Sequence, residues 1–233
     1  MRNSTVNGLV VGSFTKLNYN KIMKLADKIY PAITICPKYS WRYKLGEINS
    51  LGLKEVSLFP TFPIFDKIAV RREFYQAIEQ SCIKYIPHVH IRNDFKQWEL
   101  DFFYHNYGTR AFSIHESFSK DLYKWPKYHK FLYLKYDYDN SISTKDSFKD
   151  VGGLCIDFAH LWASKNRITK EYQRVKIEIK KYKVDCNHLN GYSHRYKHDL
   201  YYVRYQHQLD YLKEIPKKYF SNIISLEMNN SIR

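Results

Sequence analysis

Short apolar runs recur along the chain at 32–36, 54–59, 85–91, 110–115, 130–136, 153–158, 184–189 and 222–226, with longer mixed stretches between them. These runs are mostly apolar on both faces, which predicts strands buried on both sides in a parallel sheet. The intervening stretches at 71–80, 96–104 and 169–181 have helical periodicity. In the last of these Tyr172, Val175 and Ile179 share one face and Thr169 is a candidate cap. Alternation of this kind predicts βαβ units. Eight such units in 233 residues predict an α/β fold, a single (β/α)₈ TIM barrel spanning 1–233. A further strand at 9–14 and a helix at 19–30 make nine strand candidates. Either 1–31 is a short N-terminal extension, or 32–36 is not a barrel strand. No linker or repeat divides the chain.

Polar residues collect where the predicted strands end. The third run ends in His88 and His90 with Arg92 beyond, and the fourth in His115 and Glu116. The fifth ends in Lys135 and Asp137, the sixth in Asp157 with His160 following, the seventh in His188 and Asn190, and the eighth in Glu227. In such a barrel the C-terminal strand ends carry the functional side chains. Each residue also has a plain structural explanation: His88 in the barrel wall, Asp157 as a helix cap, His160 bonded to a backbone carbonyl, Glu227 paired with a lysine. Jointly, in strand-end register, Asp157, His188 and Glu227 are better explained as a site. Carboxylates and imidazoles without a thiolate suit a divalent metal such as Mn, Zn, Co or Fe.

Composition changes this picture little. No apolar run approaches the ~20 residues that cross a bilayer, and the N-terminus lacks a secretory pattern, so a cytoplasmic protein without a membrane partner is expected. Cys36, Cys82, Cys155 and Cys186 have no CxxC spacing and read as reduced core residues. The net charge of +15 is compatible with a nucleic-acid partner. However, Lys, Tyr, Ile and Asn are abundant throughout, and the basic residues form no tail or run beyond the pairs Lys180-Lys181 and Lys217-Lys218.

Gly153-Leu-Cys-Ile-Asp157-Phe-Ala-His160-Leu resembles the strand-six signature, Asp-x-x-His, of the xylose isomerase-like superfamily of sugar phosphate isomerases/epimerases and endonuclease IV-type enzymes. Asn187-His188-Leu-Asn190 resembles that family's strand-seven metal histidine, and Ile224-Ser-Leu-Glu227 its terminal metal glutamate. Leu53-Lys-Glu-Val-Ser-Leu-Phe resembles its second strand, with Ser57 where many members carry Glu. The resemblance runs from about residue 32 to the end. It implies a small sugar or sugar-phosphate substrate and a metal held by Asp157, His188 and Glu227. His160 would be a further ligand or a substrate contact, or would assist proton transfer together with Glu116 or Asp137, and Lys135, Arg92, Asn190 and Arg195 would contact the substrate. The endonuclease branch would add His90 and His115 as ligands, with abasic DNA as substrate; its Asp-x-His after strand seven is matched only loosely by His194-Arg-Tyr-Lys-His198-Asp199. One departure stands out: Lys135 occupies the place of the family's strand-five glutamate. A cation there repels a metal and cannot act as a carboxylate base. Either Asp137 substitutes for the glutamate, or three ligands hold the metal, or the barrel is non-catalytic and used for binding.

Overall fold

The computed structural model of the chain describes residues 28–34, 40–142 and 151–232. Its strands are β1 (Ile29–Ile33), β2 (Ser57–Leu58), β3 (His88–His90), β4 (Ala111–His115), β5 (Leu132–Lys135), β6 (Gly153–Asp157), β7 (Val184–Leu189), β8 (Gly191–Ser193), β9 (His198–Leu200) and β10 (Ile224–Leu226). Strands β1 to β7 and β10 are parallel and close into an eight-stranded barrel, with β10 pairing β7 on one side and β1 on the other. The fold is the expected α/β barrel of TIM type. Strand β1 begins three residues before the predicted 32–36, because Ile29 is already in register with Ile224. The predicted strand at 9–14 lies outside the described residues, as does most of the predicted helix at 19–30, and Ile29 and Tyr30 at its end are strand.

Helices α1 (Trp41–Leu51), α2 (Ile68–Glu79) and α3 (Gln97–Tyr107) follow the first three strands, and α4 (Phe158–Arg167) and α5 (Lys170–Glu178) follow β6. Thr169 does occupy the N-cap position of α5, but its hydroxyl pairs with that of Ser164 and makes no cap bond. The barrel is less regular than the sequence pattern predicts. After β4 the chain forms two 3₁₀ segments, Glu116–Lys124 and Pro126–Phe131, in place of an α-helix. After β7 it forms the unpredicted antiparallel hairpin β8–β9 and further 3₁₀ turns before β10.

The expectation of strands apolar on both faces is corrected. On most barrel strands one face is apolar and packs outward: Val89, Phe112, Ile114, Leu132, Leu134, Leu154, Ile156 and Ile224 all belong to the main core. Toward the C-terminal end the lumen face is polar, and it is equally buried. His88, His90, Ser113, Lys135, Asp157, His188 and Ser225 are each no more than 3% exposed. Contacts between strands that are not neighbours place them in the lumen, as in His88 with Ser225 and Ser113 with His188. The lower lumen is plugged by a small separate core of Ala111, Tyr133, Cys155 and Cys186. Among the described residues Cys82, Cys155 and Cys186 are free thiols, as expected of core cysteines.

Glycine opens β6 for a steric reason. A Cβ on Gly152 would lie 2.2 Å from the Lys130 carbonyl oxygen, and one on Gly153 would lie 2.3 Å from that of Lys183. The β5 and β7 backbones therefore close on the start of β6 only when it carries no side chain.

Candidate metal centre

Asp157 ends β6 and is also the N-cap of α4, where its Oδ1 accepts the His160 N–H at 3.0 Å. The cap reading therefore holds, and because capping uses one carboxylate oxygen it leaves Oδ2 for the lumen. His188 ends up beside it through the β6–β7 register, and Glu227 follows directly on β10. Asp157, His188 and Glu227 each offer a ligand atom, all within 4.8 Å of one another. His188 Nδ1 is 2.9 Å from Glu227 Oε2 and 3.9 Å from Asp157 Oδ2. All three atoms are buried and none makes a hydrogen bond. Neighbouring donors on a first-row ion, at bond lengths of about 2.1 Å, stand roughly 3 Å apart or slightly more. The His188–Glu227 pair meets that spacing, and two carboxylates with an imidazole are the donor chemistry that could hold a divalent ion.

The surrounding charges bear on that fit. Lys135 Nζ, fully buried, lies 3.6 Å from Asp157 Oδ2 and 3.8 Å from Asp137 Oδ1. Burial alone would lower its pKa, but Glu227, Asp157 and Asp137 raise it, so it is a permanent cation. Its ammonium is enclosed by carboxylates, which leaves it little capacity to hold a substrate anion. His160 is within 3.5 Å of Asp157 Oδ2, 3.3 Å of Asp137 Oδ1 and 3.6 Å of Asp199 Oδ2. Burial opposes its charge, yet Asp157 and the nearby carboxylates of Asp137 and Asp199 push its pKa up to about 10. Four carboxylates (Asp137, Asp157, Asp199, Glu227) thus face two cations (Lys135, His160), and the imbalance equals the charge of one divalent ion. Without such an ion, burial raises the pKa of Asp157 and of Glu227.

A second donor group, His115, Glu116 and Asp137, adjoins the first. His115 Nδ1 is 2.7 Å from Asp137 Oδ2. Burial and then Lys135 lower the His115 pKa, so this imidazole is neutral at pH 7. Asp137 would be raised by burial, but the hydrogen bond from His115 and the nearby His160 and Lys135 hold it far below the usual carboxylate range. Glu116 is the opposite case: burial, then Asp137, pushes its carboxyl up to about 8, and its Oε2 has no hydrogen-bond partner.

His90 is buried beside His115 and His188, with ring centroids 4.9 and 5.0 Å away, and its Nε2 has no hydrogen-bond partner. Asn190 is fully buried beyond β7, and neither side-chain atom is hydrogen-bonded. The two arginines are committed elsewhere. Arg92 is held by Asp94, Asp66 and the Thr61 carbonyl, and Arg195 lies exposed in the hairpin turn over Tyr196.

Sequence reasoning placed Asp199 only in the loose match to the endonuclease motif; the β8–β9 hairpin brings it onto His160, and it accepts a hydrogen bond from Tyr138. That reasoning missed Ser113 and Ser225, which bond the lumen histidines, and it left His88 to the barrel wall. His88 in fact lies in the lumen, bonded to both serines. The available signal was the repeated i, i+2 spacing of polar residues within the strands: His88/His90, Ser113/His115, Lys135/Asp137 and Ser225/Glu227. Comparison of the sequence with protein-family models and with curated proteins returns no match.

Proposed function

We propose that this barrel is a metal-dependent isomerase/epimerase-like enzyme acting on a small sugar or sugar phosphate. The observation that carries the reading is the convergence of three buried, unbonded donor atoms, Asp157 Oδ2, His188 Nδ1 and Glu227 Oε2, in a lumen that is two positive charges short. A divalent ion held there would polarise a carbonyl or hydroxyl oxygen of the sugar. The chain's own residues would move the proton between adjacent carbons. His115, neutral and oriented through Nδ1 by Asp137, is the general base, with Nε2 as its basic nitrogen. Glu116, protonated at pH 7, is the acid that returns a proton. Asp137 has too little proton affinity for a base and serves to orient His115 and His160. The unbonded side chain of Asn190 would be satisfied by a substrate hydroxyl.

A second reading, an endonuclease IV-like hydrolase on abasic DNA, draws on the adjoining donor group of His115, Glu116 and Asp137, which allows more than one ion. The high net charge would aid binding to phosphate. Elemental analysis of the purified protein separates the readings. One equivalent of Mn, Co, Fe or Zn, lost in Asp157→Ala, is the expected result. Two or three zinc equivalents with cleavage of an abasic duplex would favour the hydrolase. No metal after incubation with excess ion would overturn both and leave a barrel used for binding.

A further inference from the structure

The lumen below the metal centre contains a chain of hydrogen bonds whose direction is determined. Three imidazole nitrogens surround Ser113 Oγ: His88 Nε2 at 2.7 Å, His90 Nδ1 at 2.7 Å and His188 Nε2 at 3.1 Å. A hydroxyl donates one proton and accepts two, so one of these nitrogens is bare and the other two carry protons. The far end of the chain decides which. Ser225 Oγ donates to Ser57 Oγ at 2.7 Å. Its other neighbour, His88 Nδ1 at 2.8 Å, is therefore an N–H donating to Ser225. His88 is fully buried and bonded through its ring only to hydroxyls, so it is neutral and bare at Nε2. It accepts the Ser113 proton, and His90 Nδ1 and His188 Nε2 then donate to Ser113. A neutral His188 with its proton on Nε2 is bare at Nδ1, the atom that faces Glu227 and Asp157.

We propose that Ser57, Ser225, His88 and Ser113 form a positioning relay that keeps the His188 proton on Nε2 and so presents Nδ1 as a ligand atom. The inference rests on the metal-centre reading above. It extends that reading to four residues, none of them among the three proposed ligands. The relay gives Ser57 a role at a distance. Without its hydroxyl, Ser225 turns its proton to His88 Nδ1, His88 then donates through Nε2 to Ser113, and Ser113 turns its own proton to His90 or His188. Where it turns to His188, that residue's proton moves to Nδ1 and blocks ligation.

The test uses the whole protein, labelled with ¹⁵N at histidine, with long-range ¹H–¹⁵N spectra of the metal-free form and calorimetric titration with Zn²⁺. The expected result is an Nε2–H tautomer for His188 in the natural protein. Ser57→Ala brings in the Nδ1–H tautomer and weakens Zn²⁺ binding about tenfold, in line with other outer-shell losses. Ser57→Thr restores both. Ser225→Ala breaks the same link and serves if Ser57→Ala does not fold. A proton on His188 Nδ1 in the natural protein would overturn the relay, as would a Ser57→Ala variant in which His88 keeps its proton on Nδ1. If the natural protein takes up no metal, the metal-centre reading fails, and the tautomer spectra still decide the relay on their own.

Discussion

Asp157 meets His160 twice: its Oδ1 accepts the His160 backbone N–H at 3.0 Å, and its Oδ2 lies 3.5 Å from His160 Nε2. One carboxylate thus starts α4 and holds a buried imidazolium. The two functions separate by substitution. Asp157→Asn keeps an oxygen for the cap and removes the charge, whereas Asp157→Ala removes both. Asp157→Ala is expected to be less stable than Asp157→Asn by about 1 kcal/mol in denaturant unfolding, the worth of a cap. Both variants lose metal. In Asp157→Asn the His160 pKa, followed by NMR, drops below about 10, because the largest charge supporting it is gone.

Asn187 provides a structural control next to the same site. Its Nδ2 donates to the carbonyls of Ile156 and Tyr219 at 3.1 and 2.9 Å, and its Oδ1 accepts the Ser221 N–H at 2.7 Å. It ties β6 and β7 to the chain entering β10 and is fully buried. Asn187→Ala strands three buried backbone groups and is expected to cost about 3 kcal/mol or more. At temperatures where the variant stays folded, elemental analysis should find the same metal content as in the natural protein. A loss of metal there would make Asn187 part of the site.

The barrel was legible because its outward strand faces are apolar and the helical stretches between them are amphipathic. The candidate trio was legible because Asp157, His188 and Glu227 each terminate an apolar run. The polar lumen was not. Ser57, Ser113 and Ser225 alternate with apolar neighbours, and on a one-sided sheet that period-two pattern reads as solvent-exposed. Only closure of the barrel buries it. The β8–β9 hairpin was hidden for a different reason. His198-Asp-Leu200 carries no apolar run, so its strand character comes from pairing with Gly191–Ser193 and not from its own composition. The 3₁₀ turns after β4 break helical periodicity at Pro126, which gave no signal of what replaces it.

Glu116 predicts how stability depends on pH. Its carboxyl titrates near 4.5 when unfolded and near 8 when folded, because burial and Asp137 both disfavour the charged form. The folded state then holds a proton that the unfolded chain releases between these values. This contribution is fully present below pH 4.5 and is lost as pH rises through 8. His160 adds a second window in the same direction, present below 6.5 and lost as pH rises through about 10. Glu116→Gln, which cannot titrate, is expected to remove this residue's share of the decline between pH 4.5 and 8 and leave the decline toward pH 10. An unchanged profile in that variant would mean that Glu116 ionises normally in the folded protein.

Lys135 decides what the lumen does without a metal. Its ammonium lies among Asp157, Asp137 and Glu227 and is the built-in counter-ion of the trio. It both stabilises the metal-free barrel and opposes an incoming ion by like charge. Lys135→Met keeps the length and burial of the side chain and removes the charge, which leaves carboxylates unpaired in a dry interior. Breaking a buried pair from one side costs about 3 kcal/mol or more. The metal-free variant should therefore melt well below the natural protein. Zn²⁺ or Mn²⁺ should bind it more tightly and raise its melting temperature by a larger increment, since the ion now supplies the missing positive charge. The comparison is a pair of thermal melts, with and without ion, for each protein. A smaller increment in Lys135→Met would mean that the lysine helps to hold the ion's ligands in place, and its position opposite Asp157 would then have to be counted as part of the binding site.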